Sequence, residues 1–189
     1  MQTDSAPPDH RSPTADHFQN EPLLDFSREE NRQAMQTALA AVKKQLGQSY
    51  PAVIDHKESA AAAWLESLSQ AVAAAGAAFA GWRGRDMEER ARLLEKTADL
   101  MGQRRCELAA WQVYECGKPW READADVAEA IDFCRYYAQQ GRLLGVPRSV
   151  AVPGERNLNL YEPRGVAVVI APWNFPLAIL CGMTSAALV

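Results

Sequence analysis

Glu162–Val189 reads EPRGVAVVIAPWNFPLAILCGMTSAALV. It opens on a turn at Pro163 and Gly165 and continues with Val166–Ile170, an unbroken apolar run of Val, Ala and Ile. The run stops at Pro172-Trp173-Asn174-Phe175-Pro176, and a second apolar run follows. A short run of β-branched residues bounded by turn signals predicts a strand buried on both faces, as in parallel sheets flanked by helices. In open α/β sheets the ligand lies beyond the carboxyl end of such a strand, so the turn that follows is the chemically interesting end. Thirteen residues follow Pro176. A site is therefore expected to begin here without being completed.

Outward from this stretch, the whole chain has 189 residues, 48% of them hydrophobic, enough for one domain with a sizeable core. A net charge of −4 argues against a nucleic-acid or anionic-membrane surface. The longest apolar region, 60–80, is interrupted by Glu66, Ser67, Ser69 and Gln70, so no membrane span is expected. The first residues have neither a basic start nor an apolar core, and the expected location is cytoplasmic. Cys106, Cys116, Cys134 and Cys181 form no CxxC pair, and His10, His17 and His56 lie early and apart. Neither a metal site nor a disulfide framework is expected, and all four thiols read as ordinary packed side chains.

Taken in order, Pro7, Pro8 and Pro13 lie among polar residues with little to bury, which predicts a disordered tail over 1–20. Asp25 or Ser27 offers an N-cap for a helix through Ala34, Met35, Ala38, Leu39, Val42 and Leu46, stopped by Gly47. Tyr50–Asp55 reads as an edge strand because Pro51 has no N–H to give a ladder. Ser59 is expected to start a long alanine-rich helix ending near Gly81 and Gly84. Asp86 caps the next helix, read as one piece up to Gly117 with a single polar interruption at Arg105. Arg121–Gly141 places Ala123, Val127, Ala130, Ile131, Cys134 and Ala138 on one side, with Asp124, Glu129, Asp132 and Arg135 assigned to the rest of the circumference. Ser149–Val152 and Asn157–Glu162 flank Pro153-Gly154-Glu155-Arg156 as a hairpin. One candidate parallel strand cannot make a sheet, so the sequence reads as the amino-terminal part of a larger α/β protein.

EPRGVAVVIAPWNFPL (Glu162–Leu177) resembles the stretch of the aldehyde dehydrogenase superfamily in which the first strand of the nucleotide-binding domain runs into its PWNFP turn. GWR (Gly81–Arg83), RARLLEKTADLM (Arg90–Met101) and ECGKPWREADADVAEAIDFCRYYA (Glu115–Ala138) are similar to the helical region that precedes it. Ile131–Ala138, together with NEPLLDFSREENR (Asn20–Arg32), is most similar to the Δ1-pyrroline-5-carboxylate (L-glutamate γ-semialdehyde) dehydrogenases, alone or as the second half of bifunctional proline utilisation proteins. The resemblance covers 20–189. It implies an α/β, aldehyde dehydrogenase-like fold, divided into the tail 1–20, a helical region 21–147, an oligomerisation-type β-hairpin 148–163, and the start of an NAD-binding domain at 164–189.

The resemblance also implies roles. In such enzymes a cysteine thiolate attacks the aldehyde, hydride passes to NAD, and water releases the acid. Asn174 would donate to the oxyanion of the adduct, a service a neutral carboxamide performs without risking loss of a proton. Ile170, Ala171, Pro172 and Trp173 would form a wall of the nicotinamide-ribose site, and Phe175 would line the aldehyde pocket. Glu129 would face the ammonium of the substrate. The residues alone leave plainer readings open: Asn174 as a turn former between prolines, Glu129 on a solvated helix face, and Trp173 and Phe175 as core. Cys181 lies in an apolar run and is expected to be structural. The family's nucleophile, its glutamate base and its glycine-rich turn are expected beyond Val189, so residues 1–189 alone are not expected to oxidise the aldehyde.

One departure from the family pattern is expected after Asp55. The family carries an extra strand pair there, whereas Lys57-Glu58-Ser59 runs straight into alanines. Two other readings stand beside the enzyme: a non-catalytic helical interaction or pseudoenzyme fragment, and an aldehyde dehydrogenase for another small semialdehyde. Homo-oligomerisation is expected of the full-length protein.

Overall fold

The computed structural model describes residues 18–55, 57–59 and 64–189. Most of the segment read as a disordered tail lies outside these residues. Its last part does not hang free: the Phe18 ring meets Tyr136 edge-on at 5.6 Å, and Asn20 Nδ2 donates to Asp132 at 2.7 Å.

The molecule is built on one long helix. Its elements in order are α1 (Glu29–Lys43), β1 (Ala52–Ile54), β2 (Lys57–Ser59), α2 (Trp64–Arg83), α3 (Met87–Gln103), α4 (Arg105–Cys116), α5 (Trp120–Leu144), β3 (Arg148–Val152), β4 (Glu155–Asn159) and α6 (Ala178–Leu188). The 25 residues of α5 run for about 37 Å at 1.5 Å per residue. α3, α4 and α6 all pack on α5, and α1 packs on α4. The core is correspondingly rich in small side chains, with Ala91 and Ala98 of α3, Ala109 and Ala110 of α4, and Ala123, Ala130 and Ala138 of α5 all buried. Alanine at these positions lets helix axes approach closely, and Leu94, Val127, Ile131 and Met35 fill the space between. α6 comes close to α5 at Gly182, where an added Cβ would stand 2.8 Å from the Phe133 ring.

Several boundaries differ from the sequence reading. The N-cap of α1 is Arg28, in extended conformation, rather than Asp25 or Ser27; the Asp25 carboxylate instead accepts the Ser27 N–H at 2.9 Å and closes a turn just upstream. Ser59 ends a strand: Ala52–Ile54 pairs antiparallel with Lys57–Ser59, so a second strand is present where alanines were expected to follow directly. The alanine-rich helix is described from Trp64, and residues 60–63 lie outside the described set. Asp86 caps α3 as expected, accepting from Glu88 N–H at 2.7 Å. The later hairpin forms with a tighter turn than read: Arg148–Val152 pairs antiparallel with Glu155–Asn159, so Glu155 and Arg156 belong to the second strand, Val150 stands opposite Asn157, and the strand stops at Asn159 rather than Glu162.

The helix expected to run unbroken to Gly117 is two helices. Arg104 leaves the helical path at φ −103°, ψ 17°, and the break turns Arg105 inward. Arg105 Nε and Nη2 reach the two carboxylate oxygens of Asp124 at 2.6 and 2.8 Å, with both residues buried. Asp124 therefore belongs to the interior, not to the solvated side of α5, because charge alone had assigned it outward. The same carboxylate accepts Leu24 N–H at 2.8 Å, and Glu21 bridges Arg105 (3.2 Å) and Arg135 (2.6 Å). Residues 20–24 are thereby strapped along α5.

Val166–Ile170 also departs from expectation. It forms no strand or helix, pairs with no strand among the described residues, and is mostly exposed, Ile170 by 81%. A strand is buried on both faces only when neighbouring strands and covering helices supply those faces, and among the described residues no strand pairs with this segment. Among the described residues, no helix is long and apolar enough to cross a membrane.

A buried pair broken on one side leaves an uncompensated charge, which costs about 3–5 kcal/mol. Arg105→Ala is therefore expected to lower the unfolding free energy by about that amount, read from the urea midpoint. The double change Arg105→Met/Asp124→Leu is expected to cost less than Arg105→Ala alone.

Candidate active site

The site begins where α4 stops. Gly117 takes φ 67°, ψ 23°, the left-handed conformation that glycine adopts without steric cost, and its N–H donates to Val113 O at 3.1 Å. The chain reverses, Pro119 provides the extended N-cap of α5, and Lys118 is left between the two helices. Lys118 Nζ meets Asp126 Oδ1 at 3.0 Å, with the Asp126 side chain 1% exposed.

The second wall is the turn before α6. Phe175 N–H donates to Pro172 O at 3.3 Å, closing a four-residue turn with Trp173 and Asn174 at its centre. The turn is fastened to the first wall at three points. Cys116 Sγ donates to Trp173 O at 3.5 Å. Lys118 Nζ lies 4.8 Å from the centre of the Phe175 ring, within range of a cation–π attraction. Asp126 Oδ2 accepts the N–H of Ala178, the first residue of α6, at 3.2 Å.

Between the walls is an open cavity of about 400 Å³, lined by residues 116–119, by Asp126 and Glu129 of α5, and by Trp173, Asn174 and Phe175. Four of the sequence-selected residues, Glu129, Trp173, Asn174 and Phe175, thus meet at one cavity. Ile170, Ala171 and Pro172 do not line it; Pro172 opens the turn, and Ile170 and Ala171 precede it outside any helix or strand. The sequence reading passed over Cys116, Lys118 and Asp126. Gly117-Lys118-Pro119 was read only as a helix end, and the eight-residue separation of Lys118 from Asp126 matches no same-face helical spacing.

Two side chains at the cavity are chemically uncommitted. Among the described residues the Asn174 carboxamide has no hydrogen-bond partner, and neither has the exposed Glu129 carboxylate. Asn174 is not in the left-handed region, and no bond ties its side chain to its own turn. Glu129 is held above the ordinary carboxylate range, first by burial and then by Asp126 and Asp132, against the opposing pull of Lys118. Trp173 is 78% exposed and Phe175 is exposed, so neither is the core residue that the plainer reading allowed.

The thiols are occupied. The Cys134 and Cys181 sulfurs lie 3.4 Å apart between α5 and α6. The hydrogen bond with Cys134, followed by burial, pushes the Cys181 thiol far up, and burial pushes up Cys106. Among the described residues no group of His, Cys, Asp and Glu is arranged to hold a metal.

The chain belongs to the aldehyde dehydrogenase family, whose sequence model matches residues 37–189 and so takes in both walls of this cavity. It is 40% identical over 193 residues to 1-pyrroline-5-carboxylate dehydrogenase 1 of Halalkalibacterium halodurans and 42% identical over 194 residues to the 1-pyrroline-5-carboxylate dehydrogenase of Geobacillus kaustophilus. Each match takes in 91% of this chain and 38% of the relative, so the chain spans well under half the length of these curated relatives. Among solved structures it is similar to proline utilization A from Bdellovibrio bacteriovorus, at 43% identity and TM-score 0.86 over 92% of this chain and 20% of that one. It is likewise similar to a 1-pyrroline-5-carboxylate dehydrogenase from Thermus with bound NAD, at 40% identity and TM-score 0.85 over 93% of this chain and 39% of that one.

A thiol whose pKa is raised reacts slowly because little thiolate is present. Peptide mass spectrometry after iodoacetamide treatment at a pH of about 8 is expected to show Cys106 and Cys181 alkylated more slowly in the folded chain than in denaturant.

Proposed function

We propose that this chain provides the substrate-facing helical wall and the oxyanion side of an enzyme that oxidises L-glutamate γ-semialdehyde to L-glutamate with NAD. The observation that carries the reading is the Asn174 carboxamide, without a hydrogen-bond partner among the described residues, lining the same cavity as Glu129. An Asn kept only to form a turn would use its side chain on its own backbone or adopt a left-handed φ; Asn174 does neither.

The roles follow from charge. As a nucleophile adds to the aldehyde carbon, negative charge develops on the oxygen, and a fixed neutral donor at hydrogen-bond distance stabilises it. Asn174 Nδ2 is that donor. Phe175 gives the aldehyde carbon an apolar neighbour. Glu129 carries the charge opposite to the substrate ammonium and lies on the helix face that looks onto the same cavity. The nucleophile is none of the four cysteines here: Cys134 and Cys181 are paired, Cys106 is pushed up by burial, and Cys116 is committed to Trp173 O.

NAD, when bound, supplies the hydride acceptor. The residues fit such a ligand. The peptide groups of Ile170 and Ala171 have no partner among the described residues, and the Ile170 and Trp173 side chains are open, so this edge can receive a ribose and an aromatic ring through main chain and apolar surface. The hairpin supports a further part of the reading, association of the full-length protein with a second copy, because Val150, Leu158 and Tyr161 stand exposed on or beside a two-stranded sheet with free edges. Light scattering is expected to show an oligomer that Val150→Lys/Leu158→Lys dissociates.

In the full-length protein, Asn174→Ala is expected to lower kcat by about 10²–10³ with little change in KM. Glu129→Gln is expected to raise KM by about tenfold, or roughly 1.4 kcal/mol, for glutamate semialdehyde but not for an aldehyde lacking the ammonium. The raised Glu129 pKa fixes the sign of the pH dependence. Its charge is lost as pH falls through a value above the usual carboxylate range, so KM should start to rise there, and the Gln variant should not show that rise. Unchanged kcat in Asn174→Ala would overturn the reading.

A further inference from the structure

We propose that Lys118 and Asp126 form a clamp that sets the position of Asn174, making them positioning residues for the oxyanion donor. The two carboxylate oxygens of Asp126 serve different elements. Oδ1 takes Lys118 Nζ at 3.0 Å, and Oδ2 takes the N–H of Ala178 at 3.2 Å. α6 has no side-chain cap of its own, since Leu177 stands at its N-cap. A carboxylate from α5 satisfies one of the orphan N–H groups there and lies at the favourable end of the helix dipole. Lys118, neutralised by Asp126, lies over the Phe175 ring.

The clamp closes on both sides of Asn174 and leaves its side chain untouched. Cys116 holds the carbonyl of the preceding residue, Lys118 holds the ring of the following one, and Asp126 holds the backbone four residues on. The plain alternative is a buried ion pair that fastens the α4–α5 reversal and nothing more. Such a pair would not need the contacts to Phe175 and Ala178. A displacement of about 1 Å at a group that must meet a developing charge can cost on the order of 10²-fold in rate, so a rigid mount for this turn has a catalytic consequence.

The catalytic meaning of the clamp rests on the reading of Asn174 as donor; its structural content does not, and the test separates them. The first readout is amide exchange and the Asn174 carboxamide resonances of the ¹⁵N-labelled 189-residue chain. Lys118→Met and the milder Asp126→Asn are expected to speed exchange at Phe175 and Ala178 by about tenfold, the equivalent of 1.4 kcal/mol of local stability. They should also shift or broaden the Asn174 carboxamide pair, while Val127 and Ile131 methyl resonances report an intact core. Lys118→Arg should restore the wild-type spectrum. The second readout is kinetic, in the full-length protein: Lys118→Met lowers kcat by about tenfold to a hundredfold at constant KM, and has no further effect in the Asn174→Ala background. Unchanged exchange and carboxamide resonances in both variants, or additive losses in the double variant, would overturn the clamp. A changed spectrum with Asn174→Ala fully active would instead overturn the donor reading and leave the mount standing.

Discussion

A carboxylate leaves water only if it takes partners with it, and α5 buries two that do, Asp124 and Asp126, with Asp132 half-buried and partnered beside them. Asp124 is met by Arg105 and Leu24 N–H. Asp126 is met by Lys118 and Ala178 N–H. Asp132 is met by Asn20 Nδ2 and Glu21 N–H. Each pairing fixes a different part of the chain. The first breaks the α3–α4 path at Arg104 to bring Arg105 inside, the second starts α6, and the third lays the amino-terminal strap along the helix. The alanine-lined seams make α5 a surface on which other helices pack; the three aspartates determine where the intervening segments cross it.

The candidate site is a by-product of the second pairing. Lys118 reaches Asp126 only because Gly117 reverses the chain immediately before Pro119, and the turn ahead of α6 then comes to rest against the same corner. The cavity is thus walled by two turns and one helix face, none of which depends on an extended sheet. Among the described residues the Asn174 and Glu129 side chains have no hydrogen-bond partner at its edge, while Lys118, Asp126 and Cys116 are spent on holding it together. This division between spent and free polar groups is what a binding site built on rigid elements requires.

Much of this was legible in the sequence. The apolar spacing of Ala34 to Val42 and of Ala123 to Ala138, the Asp86 cap, the Gly117 stop and the alternation in Asn157–Leu160 each mapped onto an observed element. The proline-bracketed turn at Asn174 stood out because few residue patterns interrupt an apolar run so abruptly. What escaped were the inward charges. Periodicity assigns every Asp and Arg outward, so Arg105 read as an interruption and Asp124 as solvated, and Asp126 attracted no notice. Val166–Ile170 has the composition of a doubly covered strand, and among the described residues no strand pairs with it, because composition does not supply the covering elements.

The most direct measurement is a crystal structure of the full-length protein with L-glutamate, the product of the proposed reaction, bound at this cavity. Asn174 Nδ2 within about 2.7–3.1 Å of a γ-carboxylate oxygen, with the Glu129 carboxylate on the side of the ammonium, is the expected arrangement. Glutamate bound elsewhere, or an Asn174 carboxamide turned back onto its own turn while the ligand fills the cavity, would contradict it.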